Sequence, residues 1–498
     1  MGEGIPMRRL LSVALGFVIA TLPLCASAVQ AQTIKPAVVV VTGKPDLMIG
    51  AYQPEDVGYT AQEYFVSGEA VSYTAVDGAT PPDGRWNARQ DGKAMYATRV
   101  VTMLPADPGR FNGTVVVEWL NVSGGVDSPA VWLMAHRQMT RAGYAYIAVS
   151  AQKVGVEGGA SIMGADYSLK KINAGRYGAL HHPGDAFSYD IFSQIGRLAR
   201  QDSDTGILRG LAAKRIIAAG ESQSATFLAT YINAVDPLAK VYDGYLVHSR
   251  LGTVARLNGD MELGARESRV TGVKLRPDVR VPTLTFITEG DLVGFPAVIG
   301  YQAARQPDNK RLRVWELAGA SHADNYTIGV GFVDTGSAPL KTLVAAYAPM
   351  SSILGMSVEK PINNGPQHHY VLQAALHGLD RWIRTGAPPP RSPQITMAGR
   401  RLVFDEHGLA KGGIRTPWVE VPTARLSSEG NSGNLMAAIF GTSELFDRVK
   451  LARLYPGGKA EYLTRFEASL DRTIDQGFIL PDDHTEILAL ADAIFSGI

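Results

Sequence analysis

The chain has 498 residues, more than one hydrophobic core usually serves, so one large domain with extensions or two domains are expected. Its 46% hydrophobic and 19% charged residues are typical of an ordinary globular protein. With a net charge of +1 and no long basic run, it offers no reason to expect a nucleic acid or an anionic membrane surface as a partner.

Residues 1–31 have the pattern of a secretory signal peptide. Arg8-Arg9 precede the apolar stretch Leu10–Leu24, and Ala26-Ser27-Ala28 and Val29-Gln30-Ala31 both offer small residues at the cleavage positions. A membrane anchor is disfavoured because the apolar run is short. We therefore expect a periplasmic or secreted protein.

The single cysteine, Cys25, lies within this leader. Cleavage would leave a mature chain without a disulfide, which excludes catalysis by cysteine and metal sites built from thiolates. No later stretch is long and apolar enough to span a bilayer, so stable membrane insertion is not expected.

Residues 32–95 form a β-rich N-terminal segment without visible chemistry. Short strands are predicted at Val38–Val41, Tyr64–Val66 and Ala70–Thr74.

Residues 96–390 alternate between strand and helix patterns, which predicts an α/β core: a mostly parallel sheet covered by helices on both faces. The predicted strands are Ala97–Met103, Thr114–Leu120, Ala145–Ser150, Ile216–Ala219, Asp243–Val247, Val281–Thr288 and Arg313–Leu317. The predicted helices are Pro129–Arg141, Asp185–Arg200, Ala225–Val235 and Gln367–Arg384. Three consecutive prolines, Pro388–Pro390, end this region.

Residues 391–498 are predicted to be a C-terminal extension packed on the core, with a role in roofing the site. Loops and short strands are predicted at Leu402–Asp405, Gly412–Pro417 and Val419–Val421, and helices at Phe446–Leu454, Ala460–Asp475 and Asp482–Phe495.

The stretch Gly220-Glu221-Ser222-Gln223-Ser224 joins a predicted strand to a predicted helix. A strand, a tight turn with a central serine and a helix are the context of a nucleophile elbow. Ser222 would lie at the apex of the turn, at the positive end of the helix dipole. The last position of the motif is usually glycine; here it is Ser224, which is also small.

A serine nucleophile needs a base, usually histidine, and a carboxylate that holds the base in the right tautomer. In sheets wound this way the chain order is serine, acid, histidine, each after a strand. Ser222, Asp291 and His322 follow that order. Glu289, in the same turn as Asp291, is the alternative acid; Asp291 is favoured because its place in the turn suits contact with His322.

Two places could supply N–H groups to an oxyanion. One is the backbone of Gln223, and the other is the Gly-rich loop after the strand 114–120, where Val122, Ser123 and Gly124 are candidates. An ordinary strand-to-helix turn is the alternative interpretation of that loop. Candidate pocket residues at the ends of strands are Asn121, Gln152 and His248. For Gln152 and His248, a structural role is equally compatible with the sequence.

The remaining histidines do not suggest a metal site. His181-His182 and His368-His369 are adjacent pairs, whose side chains point apart, and no HExxH motif is present. Capping or core packing is expected for these pairs, and packing for His136 and His377 within their helices. No metal or other cofactor is expected.

Five stretches resemble the bacterial exported α/β-hydrolase-domain family, a branch of the α/β-hydrolase superfamily. They are EWLNVSGG (Glu118–Gly125), GESQSA (Gly220–Ala225), TEGD (Thr288–Asp291), AGASHAD (Ala318–Asp324) and GGIRTP (Gly412–Pro417). The resemblance implies the α/β-hydrolase fold, Ser222 as nucleophile, His322 as base and an acid within TEGD. It implies no substrate, and it leaves open whether GGIRTP is structural or lines the pocket.

These observations predict an exported serine hydrolase that cleaves a small-molecule carboxylic ester through an acyl-enzyme on Ser222. The same triad would also serve a lactonase, an amidase or an acyltransferase, and a catalytically silent binding protein of this fold is a further alternative. The sequence makes no prediction about the oligomeric state.

Overall fold

A nine-stranded sheet lies at the centre of the protein in the computed structural model, which describes residues 1–2, 35–161, 164–201, 206–261, 272–296, 298–431 and 433–497. The predicted signal peptide lies outside the described residues apart from positions 1 and 2. The strands are β1 Ala37–Val41, β2 Tyr59–Ala75, β3 Ala88–Pro105, β4 Thr114–Trp119, β5 Ala145–Val149, β6 Arg215–Glu221, β7 Gly244–His248, β8 Thr283–Thr288 and β9 Leu312–Leu317.

The order of the strands across the sheet is β1-β2-β3-β5-β4-β6-β7-β8-β9. Every neighbouring pair from β5 to β9 is parallel, whereas the pairs β1/β2, β2/β3 and β3/β5 are antiparallel. Parallel strands need crossover connections, and here helices supply them. The sheet is therefore mostly parallel and flanked by helices, as the alternating pattern predicted.

The N-terminal strands are longer than their sequence patterns suggested. The two predicted strands at Tyr64–Val66 and Ala70–Thr74 are parts of β2, a single strand of 17 residues. β2 pairs with β3 past Gly68, and the register shifts only between Val71 and Tyr73. Residue 95, where we placed the limit of the N-terminal segment, lies inside β3. Long-range pairing extends both strands across residues with weak local strand preference.

The two faces of the sheet can be assigned from consecutive residues of β4, because neighbouring side chains of a strand point to opposite faces. The carboxylate of Glu118 contacts the start of helix Ala130–Ala142. The ring of Trp119 packs on the other face against Phe192 and Phe227, from helices Ser188–Ala199 and Gln223–Thr230. Helices therefore cover both faces.

Between β4 and residue 390, the four predicted helices are present with ends within a few residues of the predicted ones, apart from one difference, and the described residues include seven further short α-helices that were not predicted. The helix that follows Ser222 is regular only to Thr230 and continues as a π-helical segment, Tyr231–Val235. The helices are Ala130–Ala142, Lys153–Glu157, Leu169–Ile172, Ala174–Tyr177, Ser188–Ala199, Gln223–Thr230, Asp236–Ala239, Glu289–Val293, Gly331–Val333, Leu340–Ala346 and Gln367–Thr385.

The C-terminal region contains two small hairpins and five α-helices within its described residues. The hairpins pair Met397–Ala398 with Arg401–Leu402 and Ala424–Ser427 with Thr442–Leu445. The helices are Pro417–Glu420, Leu435–Ile439, Arg448–Leu454, Gly458–Asp475 and His484–Gly497. The prediction of a loop or short strand at Val419–Val421 is wrong, because Pro417 in the first turn favours a short helix there, which ends at Glu420.

The GGIRTP stretch extends the edge of the sheet. Ile414 forms a parallel bridge with Leu317 of β9, and its N–H donates to the Glu316 carbonyl oxygen at 2.7 Å. Gly413 has φ +69°, and a Cβ there would lie 2.9 Å from the same oxygen, so a side chain would not fit. This stretch is structural: β9 pairs with β8 on one side, and Ile414 covers the end of its outer edge.

The C-terminal helices share the core with the sheet. Phe466 of helix Gly458–Asp475 is fully buried and packs edge-on against Trp418, with ring centroids 5.6 Å apart. Trp418 stacks in turn on Tyr370 of helix Gln367–Thr385 at 5.8 Å. Pro36–Ile498 accordingly form one compact unit.

Truncating Phe466 should therefore destabilise the whole unit. We expect Phe466→Ala to lower the free energy of unfolding by about 3–5 kcal/mol, because it removes a buried aromatic ring and leaves a cavity. Denaturant unfolding followed by tryptophan fluorescence measures this change. The exposed neighbour Glu467 is the control: Glu467→Ala should change stability by less than about 0.5 kcal/mol. Equal midpoints for the two variants would contradict the packing described here.

Candidate active site

Ser222 occupies a sharp turn between β6 and helix Gln223–Thr230. Its backbone has φ 54° and ψ −115°. Residues other than glycine rarely adopt this conformation, so the surrounding structure must hold it in place. A Cβ at Gly220 would lie 3.1 Å from the Ser224 backbone, which explains the need for glycine there. The Ser224 hydroxyl accepts from the Glu221 N–H at 2.9 Å and donates to the Glu221 carbonyl oxygen at 2.8 Å. The serine that replaces the usual glycine thus stabilises the turn.

The structure brings together Ser222, His322 and Asp291. Ser222 Oγ lies 2.8 Å from His322 Nε2, and His322 Nδ1 lies 2.5 Å from Asp291 Oδ1. The three residues follow β6, β9 and β8, which are parallel, so their carboxyl ends lie along one edge of the sheet. This chain of hydrogen bonds can move a proton from the hydroxyl to the imidazole and stabilise the resulting cation.

The two candidate acids have different surroundings. Asp291 Oδ2 accepts from the Thr288 N–H at 2.7 Å, which leaves Oδ1 for His322. Glu289 is also fully buried, but its carboxylate accepts from the backbone N–H groups of Gly319 at 2.5 Å and Ser428 at 3.2 Å. Burial raises the pKa of Glu289 to about 7. Glu289 connects two loops, and Asp291 contacts the histidine.

His322 lies between two carboxylates. Burial by itself would lower the pKa of His322, but the charge and hydrogen bond of Asp291 and the charge of Glu221 outweigh it and raise the pKa above the usual value. Glu221 Oε1 is 3.7 Å from His322 Nε2. Burial raises the pKa of Glu221 to about 7. Glu221 was not among the predicted site residues, although its position before Ser222 at the end of β6 was a signal.

The Gly-rich loop after β4 lies beside the serine. The Val122 N–H donates to the side-chain oxygen of Gln223 at 3.2 Å, and the Ser123 N–H donates to Asn121 Oδ1 at 2.8 Å. The Gln223 N–H is the first of its helix and has no intrahelical partner. Gly124 lines the same cavity as Ser222. Of the predicted oxyanion donors, the Ser123 N–H is thus already paired with Asn121. The Val122 N–H is paired with the Gln223 side chain, which a ligand would have to displace.

Glu118 fixes the position of this loop. Its carboxylate accepts from the N–H groups of Val131 and Trp132 at 2.8 and 3.0 Å and from the Tyr146 hydroxyl at 2.7 Å. It therefore caps the helix on the far side of the loop. Burial raises the pKa of Glu118 to about 8. Glu118 was not among the predicted site residues, although an acidic residue within an otherwise apolar strand was a signal.

A cavity of about 390 Å³ opens onto Ser222 and His322, and most of its wall is apolar. The larger apolar side chains of the wall come from distant parts of the chain, among them Met48, Met134, Leu251, Met261, Phe295, Val298, Ile328, Leu354, Leu435, Met436, Ile439 and Phe440. Asn121 and His248 also line the cavity. Gln152 is not among its lining residues; it is buried and accepts from the Trp119 indole N–H at 3.2 Å. Gln152 thus has a structural role.

The paired histidines do not share one role. His368 lines the cavity, whereas its neighbour His369 packs on Tyr326 in the core. His182 is buried against the Ala151 carbonyl oxygen at 2.9 Å, and His181 is exposed. Within the described ranges, no group of three or more histidine, cysteine or acidic residues is arranged to hold a metal ion. None of the helices that the structure describes has the length and apolar character of a membrane span.

The chain belongs to the family of alpha/beta hydrolase domains, whose family model matches residues 30–489. A search of curated proteins finds no match.

Among solved structures, the chain is similar to a glucuronoyl esterase from Solibacter usitatus, with 10% identity, a TM-score of 0.30, and 57% of this chain and 83% of that chain covered. It is similar to a CE15 glucuronoyl esterase from Teredinibacter turnerae, with 15% identity, a TM-score of 0.26, and coverage of 51% and 61%. It is also similar to an α/β serine hydrolase without a lid from Xanthomonas campestris, with 14% identity, a TM-score of 0.28, and coverage of 45% and 80%.

We expect the pKa of His322 to lie above about 6.5, the usual value for histidine, because two carboxylates stabilise its cation. Asp291→Asn should lower this pKa, because the charge of Asp291 no longer offsets the effect of burial, which disfavours the cationic imidazole. NMR titration of histidine-labelled protein, with the His322 signal assigned from a His322→Gln variant, measures both values. Glu289→Gln, whose side chain bonds elsewhere, is the control. An unchanged pKa in Asp291→Asn would contradict this account of the electrostatics.

Proposed function

We propose that this protein is an exported serine hydrolase that cleaves carboxylic esters through an acyl-enzyme on Ser222. The observation that carries the proposal is the unbroken hydrogen-bond chain from Ser222 through His322 to Asp291 at the wall of an apolar cavity. The family supports a hydrolase in general. Export rests on the signal-peptide pattern of residues 1–31, and the proposed location is the periplasm or the medium.

In the acylation step, the Ser222 hydroxyl proton passes to His322 Nε2 while Oγ attacks the ester carbonyl carbon. Asp291 keeps His322 Nδ1 protonated and stabilises the imidazolium. The proton on Nε2 then passes to the leaving alcohol as the carbon–oxygen bond breaks. Water gives a proton to His322 Nε2 and attacks the acyl carbon. The bond from that carbon to Ser222 Oγ then breaks, and the proton on Nε2 passes to Oγ, which releases the acid and restores Ser222 and neutral His322.

The oxyanion would be held by the N–H groups of Gln223 and Val122. The first lies at the start of the elbow helix, where the helix dipole also favours negative charge. The Val122 N–H already donates to the Gln223 side-chain oxygen, so that oxygen marks the position that an acceptor atom takes beside this N–H. In this proposal the substrate oxygen replaces that side chain. No cofactor takes part.

Ser222→Ala should lower kcat by about a millionfold for p-nitrophenyl butyrate, since loss of the nucleophile removes the acyl-enzyme route. The exposed serine Ser337 provides the control, and Ser337→Ala should keep the wild-type rate. A fluorophosphonate probe should label wild type and Ser337→Ala but not Ser222→Ala. Equal hydrolysis by wild type and Ser222→Ala would refute the proposal, and lactones and amides in the same panel test the other acyl chemistries.

Asp291→Asn and Glu289→Gln should separate the acid from the loop carboxylate. We expect Asp291→Asn to lower kcat about 10⁴-fold, because the amide cannot stabilise the imidazolium or hold the right tautomer. Glu289→Gln should lower kcat less than about tenfold but cost about 1–3 kcal/mol of stability, because a buried acceptor of two backbone N–H groups is weakened. Steady-state kinetics and denaturant unfolding measure the two effects. The reverse ranking in kcat would assign the acid role to Glu289.

A further inference from the structure

A second chain of buried polar side chains lies beside the triad and has no part in the mechanism above. Asp324 Oδ2 lies 3.2 Å from His368 Nδ1, and His368 Nε2 lies 2.9 Å from His248 Nε2. All three residues are only 1% exposed. Asp324 lies two residues after His322, and the His248 carbonyl oxygen accepts from the Ser222 N–H at 3.0 Å. This second row of side chains is therefore linked to Ser222 through the His248 backbone and to His322 through the sequence.

The hydrogen bonds determine where the protons lie when both rings are neutral. The Asp324 carboxylate accepts through Oδ1 from Thr327 and through Oδ2 from His368, so His368 carries its proton on Nδ1. His368 Nε2 is then an acceptor, and it must receive the proton of His248 Nε2. Burial lowers the pKa of His248 well below its usual range and keeps this ring neutral. His248 Nδ1 is left with a lone pair and no hydrogen.

That lone pair is unused. His248 Nδ1 is buried and has no hydrogen-bond partner among the described residues. His248 also belongs to the wall of the active-site cavity, where apolar residues such as Leu251, Met261 and Phe295 surround the site. Buried polar atoms in folded proteins are nearly always paired, because leaving one unpaired is costly. A ligand that brings a neutral donor would pair it.

We propose that His248 is a substrate-binding residue whose Nδ1 accepts a hydrogen bond from the substrate, and that the substrates are apolar esters carrying a hydroxyl or another neutral donor. His368 and Asp324 are positioning residues, which act through the tautomer of His248. An ammonium donor is disfavoured, because the cavity wall is largely apolar and a charge would lose its hydration. This inference rests on the proposed ester hydrolysis.

The first test compares matched esters with the wild-type protein at pH 8. Methyl pentanoate is compared with methyl 2-, 3- and 4-hydroxypentanoate, and propyl pentanoate with 2-hydroxyethyl pentanoate, by kcat/KM in a pH-stat. We expect at least one hydroxylated ester to be favoured about 10- to 100-fold, because the plain ester leaves Nδ1 unpaired. An apolar pocket without such an acceptor would disfavour every hydroxylated ester.

The outcomes separate the two proposals. Hydrolysis of plain and hydroxylated esters at equal rates, or a preference for plain esters throughout, would overturn the role of His248 and leave the serine hydrolase intact. If no ester is cleaved faster by wild type than by Ser222→Ala, the proposed function itself fails.

The second test uses variants of the protein. In His248→Phe and His368→Phe, the ratio of kcat/KM for the favoured hydroxylated ester over its plain partner should fall to about one or below. His369→Phe is the matched control: His369 is an equally buried neighbour that bonds to Tyr347 and Gln373 and is not among the cavity-lining residues. Its ratio should stay at the wild-type value. Retention of the ratio in His248→Phe would overturn the proposal.

Nitrogen-15 NMR of Ser222→Ala decides the matter if the histidine variants do not fold. We expect His248 to carry its proton on Nε2, and its Nδ1 signal to shift when the favoured hydroxylated ester is added. A proton on Nδ1, or an Nδ1 signal that does not respond to saturating ester, would overturn the proposal.

Discussion

The hydrogen bond between Ser222 and His322 depends on three parallel strands that end at the same edge of the sheet. β6, β8 and β9 end along one edge of the sheet, so a turn after each of them delivers one member of the triad. The strained backbone of Ser222 exposes its hydroxyl at that edge. Gly220 leaves room for the Ser224 backbone in this turn, and the Ser224 hydroxyl stabilises the turn through its hydrogen bonds to Glu221. If the sheet order changed, the three side chains would separate.

Four buried carboxylates and the partly buried Glu221 lie at this edge, and their neighbours rather than their residue type decide what each does. Glu118 caps a helix, and Glu289 joins two loops through backbone N–H groups. Asp291 holds His322, Asp324 holds His368, and Glu221 lies beside the imidazole without a direct hydrogen bond to it. Burial makes an unpaired carboxylate expensive, so each is committed to the donors nearest to it.

The C-terminal segment is part of the site as well as of the core. Leu435, Met436, Ile439 and Phe440 line the cavity, beside residues from the N-terminal segment and the sheet. The position of Trp418 between Phe466 and Tyr370 ties this segment to the helices behind the sheet. The apolar character of the cavity therefore depends on long-range packing, which also determines what size of substrate fits.

The sequence by itself determined the class of fold, the elbow at Ser222 and the order of nucleophile, acid and base, because strand and helix periodicity and turn residues are local properties. Tertiary structure decided which of two neighbouring carboxylates reaches His322, which predicted N–H groups are free, and that Gln152 is structural while His248 and His368 lie at the cavity. It also joined the N-terminal strands to the central sheet and turned Val419 into part of a helix. These outcomes depend on contacts between residues far apart in the chain, and no local pattern encodes the distance between them.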